Sequence, residues 1–353
     1  MVGPGGELPL PWLEPVLRRT LDSQHAHALL LHGPQGVGQF ELALVLAQAW
    51  LCEAAQSLAR PCGACASCRL VQAHSHPDLL VLVPEALQES LQWGAGDADD
   101  TTAARATKTK PSQEIKVEAV RAAVSFAQTT SARGRGKVVV LHPAERMNVV
   151  SANTLLKTLE EPPGDARFVL SCAAPEALLP TIRSRCQSVV MSLPPPQQAI
   201  DWLTHQGVAD PDVVLAATGG QPQEALAWVR QGIDAALWLR VPALVEQGAA
   251  APFAAWPVPR VIDALQKLCH DAARVAAGAA PRYFPASTVP SGADAAALSA
   301  WMRELGRVSR HAEHPWNVGL MVEALIQQGQ RALSGAGRDD GANVQGVSVH
   351  SRA

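Results

Sequence analysis

The chain has 353 residues, enough for two or three domains with cores of their own, and its 48% hydrophobic and 17% charged content is that of a globular protein. A net charge of -3 excludes a chain-wide basic surface for nucleic acid, and one Tyr and five Phe leave little for base stacking. No leading stretch has the charged-then-apolar build of a signal peptide and no apolar run reaches about 18 residues, so a soluble, cytoplasmic protein is expected.

Residues 8–21 read as a short amphipathic helix and 26–32 as a buried strand. That strand runs into Gly33-Pro34-Gln35-Gly36-Val37-Gly38-Gln39-Phe40, in which Gly33 and Gly38 occupy the two glycine positions of the phosphate-loop pattern G-x-x-x-x-G-K-[ST]. Leu42, Val45, Leu46 and Ala49 then fall at helical spacing, so a helix is expected over 39–51. The chemistry of the loop is missing. Gln39 stands where a lysine would reach the outer phosphates, and Phe40 where a hydroxyl would hold magnesium. An amide is neutral and a phenyl ring cannot ligate a hard cation. What remains is the backbone N–H of Gly33, Gly36 and Gly38, which can still meet an anion weakly at a helix start.

Four of the seven cysteines follow at once: Cys52, Cys62, Cys65 and Cys68, the last three as C-x-x-C-x-x-C. Four thiolates at short spacing can close a tetrahedral zinc site and hold a small loop-rich module together. A redox motif uses one pair, and unconnected cytosolic thiols rarely crowd this way. Four sulfurs leave no open position, so the zinc is structural. His74 and His76 are spare candidates.

Residues 78–83 form an expected second strand, ended by Pro84. From 88 to 112 the composition turns to Gly, Asp, Thr and Ala, which predicts a flexible insertion. Helical spacing returns with Ile115, Val117, Val120 and Val124. The third strand, 137–141, ends in His142-Pro143, where a working ATPase has acidic residues that hold magnesium and orient water. A second element of the ATP site is therefore lost. A helix capped by Ser151 runs to Pro162-Pro163, a strand covers 167–171, and Arg183-Ser184-Arg185-Cys186 precedes a last strand, 188–191.

Residues 155–163 (LLKTLEEPP) and 184–186 (SRC), with the four cysteines after the phosphate-loop helix, resemble the bacterial DNA polymerase III clamp-loader family, an AAA+ family, over about residues 10–333. The resemblance implies an α/β AAA+ (P-loop type) parallel-sheet domain with an inserted zinc module (1–193, module 52–68), a small helical lid (194–234) and an all-α collar (235–333). A disordered tail, 334–353, completes the expected organisation. The motor members (gamma/tau) would keep the lysine, hydroxyl and acidic residues lost here. The delta member lacks the zinc module and the SRC arginine.

The implied role is thus a non-hydrolysing subunit of the polymerase holoenzyme. Arg185 would act as an arginine finger on the ATP of a neighbouring motor subunit. The implied partners are gamma/tau-type subunits and the delta subunit in a hetero-oligomer, and through the assembly the sliding clamp and primed DNA, with no membrane. Spacing alone leaves an ordinary salt bridge open for Arg185, and Arg183 reads as packing or surface charge. Gln223 stands where the lid of an AAA+ ATPase places a nucleotide-sensing arginine, a third departure. An active but divergent motor-type ATPase is the alternative, followed by a zinc-dependent nucleic-acid module. In the collar, Leu298, Trp301, Met302 and Leu305 form one stripe, and Val318, Met321, Val322 and Leu325 another.

Overall fold

The computed structural model describes residues 1–23, 26–55, 60–93, 111–310 and 318–334. They group into two compact units, Met1–Trp202 with Gln221–Glu224, and Leu203–Gly220 with Ala225–Ala353.

The first unit holds strands β1 (Ala28–His32), β2 (Leu79–Leu82), β3 (Val138–Leu141), β4 (Arg167–Cys172) and β5 (Gln187–Val190), in the order β2-β3-β4-β1-β5. Every pairing is parallel, with Ala28 opposite Phe168 and Leu29 opposite Gln187 setting the central register. Parallel neighbours need crossovers, and here these are helices that cover both faces. They are α1 (Glu14–Ser23), α2 (Gln39–Leu51), α3 (Ala66–Gln72), α4 (Glu85–Leu91), α5 (Val117–Gln128), α6 (Val149–Glu160), the short α7 (Pro180–Arg183) and α8 (Pro196–His205), whose last three residues fall in the second unit.

Alternation along the strands divides the core. Leu29, Leu31, Val138, Val140 and Val169 pack in one cluster with Leu13, Leu17 and the apolar residues of α2. Leu30, Val139, Leu141, Phe168 and Leu170 pack in another with Val120, Leu155 and Leu159 of α5 and α6. The α2 sequence is apolar almost all round, as a helix must be when it is covered on every side.

The expected parallel sheet is present, and the strands sit within a residue or two of their predicted positions. The helix over 149–160 begins three residues earlier than a Ser151 cap implies. Asn148 is its cap, accepting the Ser151 N–H at 2.9 Å, and buried Ser151 instead donates its hydroxyl to the Ile115 carbonyl at 2.9 Å. Of the expected insertion, 88–91 lie in α4, residues 94–110 fall outside the described residues, and Ser112 is fixed to Glu85 and Ala86. The tail beyond Ser334 lies outside the described residues.

One buried acid ties this unit together. Asp78, fully buried before β2, accepts from Ser131 Oγ at 2.9 Å, Ala132 N at 2.8 Å and Arg133 N at 2.9 Å, and pairs with Lys137 Nζ at 3.1 Å. Burial opposes its charge, but the Ala132 and Arg133 N–H groups, with Lys137 and Ser131, outweigh that and hold the carboxyl below its ordinary range. A depressed pKa stabilises the fold above the unfolded value near 4 and loses that contribution as the pH falls through the folded value. Asp78→Ala, which strands Lys137 and three donors, is expected to cost roughly 3–5 kcal/mol in urea unfolding.

The second unit is helical. Besides α9 (Pro211–Ala217) and most of α10 (Pro222–Arg230), it contains α11 (Ala235–Glu246), α12 (Val258–Ala276), α13 (Ala295–Ser309) and α14 (Val318–Leu333). Trp228, Trp238, Phe253, Leu265, Trp301 and Ile326 fill its core. Leu298, Trp301 and Leu305 are buried as their stripe predicts, whereas Val318 is 49% exposed and stands outside the core. Buried Asp271 receives the N–H groups of Arg282, Tyr283 and Phe284, at 2.9, 2.7 and 2.9 Å, and so anchors the loop after α12.

Candidate functional site

The glycine loop leaves the carboxyl end of β1, the edge where open parallel sheets place their ligands. Gly33 lies against β5's exit: a Cβ there would meet the Met191 carbonyl oxygen at 2.1 Å, so only glycine fits. Gly38 opens α2 with φ +99°, a conformation that glycine adopts without strain. Trp12 donates its indole N–H to the Val37 carbonyl at 2.8 Å and clamps the turn from outside.

The loop's contents are its own side chains. Gln39 folds back and donates its amide to the carbonyls of Gly33 and Pro34, at 2.9 and 2.6 Å. A lysine in this place would aim its ammonium outward at phosphate, but the amide is spent on the loop itself. Phe40 stacks on His142, ring centroids 4.8 Å apart at 29°. His142 sets Nδ1 3.0 Å from Ser171 Oγ, and burial pulls its pKa down to about 4 against the raising effect of the Ser171 backbone, so the ring is neutral at pH 7. A neutral aromatic pair thus fills the space between the phosphate turn and the end of β3, where a magnesium site would need hydroxyl and carboxylate oxygens. Within the same unit, Gln223 donates its amide to Glu41 at 2.6 Å.

The second cluster is the cysteines. The Sγ atoms of Cys52, Cys62, Cys65 and Cys68 all lie within 4.8 Å of one another, Cys52 and Cys65 at 3.9 Å, Cys62 and Cys68 at 4.0 Å. Four sulfurs about 2.3 Å from a central zinc would be separated by about 3.8 Å, so the set fits a tetrahedral ion. Cys65 caps α3 and receives the Cys68 N–H on its sulfur at 3.4 Å, while the Cys65 N–H points at Cys62 Sγ at 3.4 Å. Such N–H donors stabilise thiolates; burial resists this at Cys62, yet its pKa is held below the ordinary thiol range. Burial pushes Cys52 and Cys68 above that range, and likewise raises Cys172, Cys186 and Cys269, the last three each to about 12. His76 is spent elsewhere, on Ser67 Oγ at 2.6 Å and the Asp78 N–H at 3.0 Å, and His74 stacks on Trp93.

Arg185 lies between α7 and β5, an edge strand of the sheet. Its guanidinium pairs with Glu160, the last residue of α6, through Nε at 2.7 Å and through a second, shorter contact, and donates to the Thr181 carbonyl at 2.9 Å. The pair is partly open to solvent, with the two side chains 30% and 47% exposed. An ion pair in that setting is worth about 0–1 kcal/mol, so it orients the arginine without committing it. The sequence marks Arg185 and the glutamates but not their pairing, because 25 residues separate them and no helical period connects them.

Taken together, the first unit is a five-stranded parallel sheet with a glycine turn at the carboxyl end of β1, filled by its own Gln39, Phe40 and His142 side chains. Residues 13–195 match the family model described as DNA polymerase III, delta subunit, and the chain belongs to that family. Relatives include the DNA polymerase III subunit delta' of Pseudomonas aeruginosa, 39% identical over 215 residues, 60% of this chain and 58% of the relative. That of Escherichia coli K12 is 34% identical over 224 residues, 62% of this chain and 60% of the relative. The chain thus spans about 60% of the length of these two relatives. The DNA polymerase III subunit tau of Escherichia coli K12 is 34% identical over 160 residues, 45% of this chain and 20% of that protein.

Proposed function

We propose that this chain is a non-hydrolysing clamp-loader subunit of the delta' type. It gives the assembly a rigid interface and lends Arg185 to the ATP of a neighbouring gamma/tau-type motor. The loop that closes on itself carries the reading: Gln39 is bonded to its own carbonyls and Phe40 is stacked on His142, so neither side chain grips a triphosphate. The exposed guanidinium supports the other half, since a docking neighbour can take it from Glu160 at small cost.

Within the assembly the chain's own groups would act by position. Arg185 offers a fork that matches phosphate oxygens, and placed beside the outer phosphate of a neighbour's nucleotide it offsets negative charge as the bond breaks. Glu160 would hold the side chain extended until the neighbour docks. Cys52, Cys62, Cys65 and Cys68 would hold a structural zinc that fixes the module after α2. The domains proposed are 1–193, a helical lid at 194–234 and a collar at 235–333 that assembles with motor and delta subunits, so that the clamp is placed on primed DNA.

The experiment is ATP turnover by the purified chain with magnesium. The expected rate is no higher than the blank. Turnover that Gly38→Val abolishes would instead support a divergent motor-type ATPase.

A further inference from the structure

At the opposite edge of the sheet from the glycine loop, a cleft of about 740 Å³ is lined by Arg18, Arg60, Arg135 and Arg167, with Trp50 and His27 among its walls. The five residues of β1, about 15 Å of strand, separate the two edges. Two acids, Asp22 and Asp165, share this cleft with the four guanidiniums, which leaves it net positive in a chain of net charge -3. A volume of this size is that of a small-molecule site, and its polar walls suit a charged ligand.

Arg18 pairs with Glu14 one turn away on α1, at 4.0 Å, whereas Arg60, Arg135 and Arg167 have no carboxylate within 4 Å among the described residues. Arg60 spends Nε and one terminal nitrogen on the Ala54 carbonyl, at 2.9 and 2.6 Å, and its own carbonyl receives Arg18 at 3.1 Å. Arg167, at the start of β4, lies with its guanidinium 4.9 Å from the Trp50 ring centroid and has no carboxylate within 4 Å among the described residues. Burial pulls its pKa down against the raising effect of Asp165. Arg135, in the loop before β3, has a side chain with no hydrogen bond or ion pair among the described residues. Converging guanidiniums repel one another unless an anion joins them, and the planar fork suits phosphate best. The indole face beside Arg167 adds a surface for a base.

We propose that this cleft binds the phosphate groups of a nucleotide, either free or carried on a nucleic-acid strand. The site stands apart from the arginine finger and does not depend on that reading.

Calorimetric titration of the full chain at low salt tests it with inorganic pyrophosphate, with ATP in excess EDTA, and with a 5'-phosphorylated oligothymidylate. Saturable binding is expected, weakened about tenfold or more by Arg135→Ala and by Arg167→Gln, the loss of a charge-assisted contact. Arg185→Ala should leave it unchanged. Preference for pyrophosphate and ATP assigns a free nucleotide; preference for the oligonucleotide assigns a strand. Arg135 makes no contact that the fold depends on, so its variant remains informative if Arg167→Gln is unstable. Three silent ligands, or binding indifferent to both arginines, would overturn the proposal. So would binding abolished only by Gly38→Val, which would place the phosphate in the glycine loop.

Discussion

Arg185→Ala, reconstituted with the motor and delta subunits, is expected to slow ATP hydrolysis at the adjoining motor site by about 10³-fold or more. That loss is far larger than anything the substitution can do to the fold, because the Arg185–Glu160 pair is partly exposed and worth about 1 kcal/mol at most. Arg185→Lys separates charge from geometry. Lysine keeps the cation but not the planar fork, so it should recover only part of the rate. Glu160→Gln makes the complementary point: if the carboxylate only holds the arginine in readiness, removing its charge should leave most of the hydrolysis rate intact. Single-turnover measurements read the effect at one site without averaging over the others.

The second large effect concerns the cysteine cluster. One zinc per chain should survive gel filtration, and stripping it should unfold the segment from Cys52 to the end of α3. Structural zinc contributes roughly 10 kcal/mol or more in small zinc-binding peptides. Cys68→Ser should reproduce the loss, seen as zinc release and as protease sensitivity near residue 60. Cys172 and Cys269, buried and with thiols pushed up to about 12, should stay unmodified by alkylating agents under native conditions. A chain without zinc, in which all four clustered cysteines alkylate readily in the native state, would contradict the assignment.

What the sequence made legible follows from how local each signal is. The strand before Gly33, the glycine spacing and the C-x-x-C-x-x-C run are short-range patterns, and each is present as expected. The departures at Gln39, Phe40 and His142 were legible as losses. Where those side chains went was not, since the Phe40–His142 stack joins residues about a hundred positions apart. Helix α11 was hard to read because Pro242 lies inside it, and α3 because its cysteines suggested loop. Asn148 took the capping position from Ser151 because the serine hydroxyl was needed at the Ile115 carbonyl.

Some features exist only once the chain has folded. Asp78 and Asp271 look like ordinary surface acids in the sequence, yet Asp78 gathers donors from a loop more than fifty residues on and Asp271 from the loop after its own helix. The arginines of the cleft sit in four separate segments that no motif connects, and the fold brings them to one cleft. The net charge of -3 argued against a chain-wide basic surface for nucleic acid. It could not reveal a local concentration of positive charge.

A structure of the reconstituted assembly with a non-hydrolysable ATP analogue on the motor subunit tests the central claim most directly. The Arg185 guanidinium should have left Glu160 and lie about 3 Å from an oxygen of the neighbour's outer phosphate. Arg185 still paired with Glu160, with no nucleotide within reach, would contradict it.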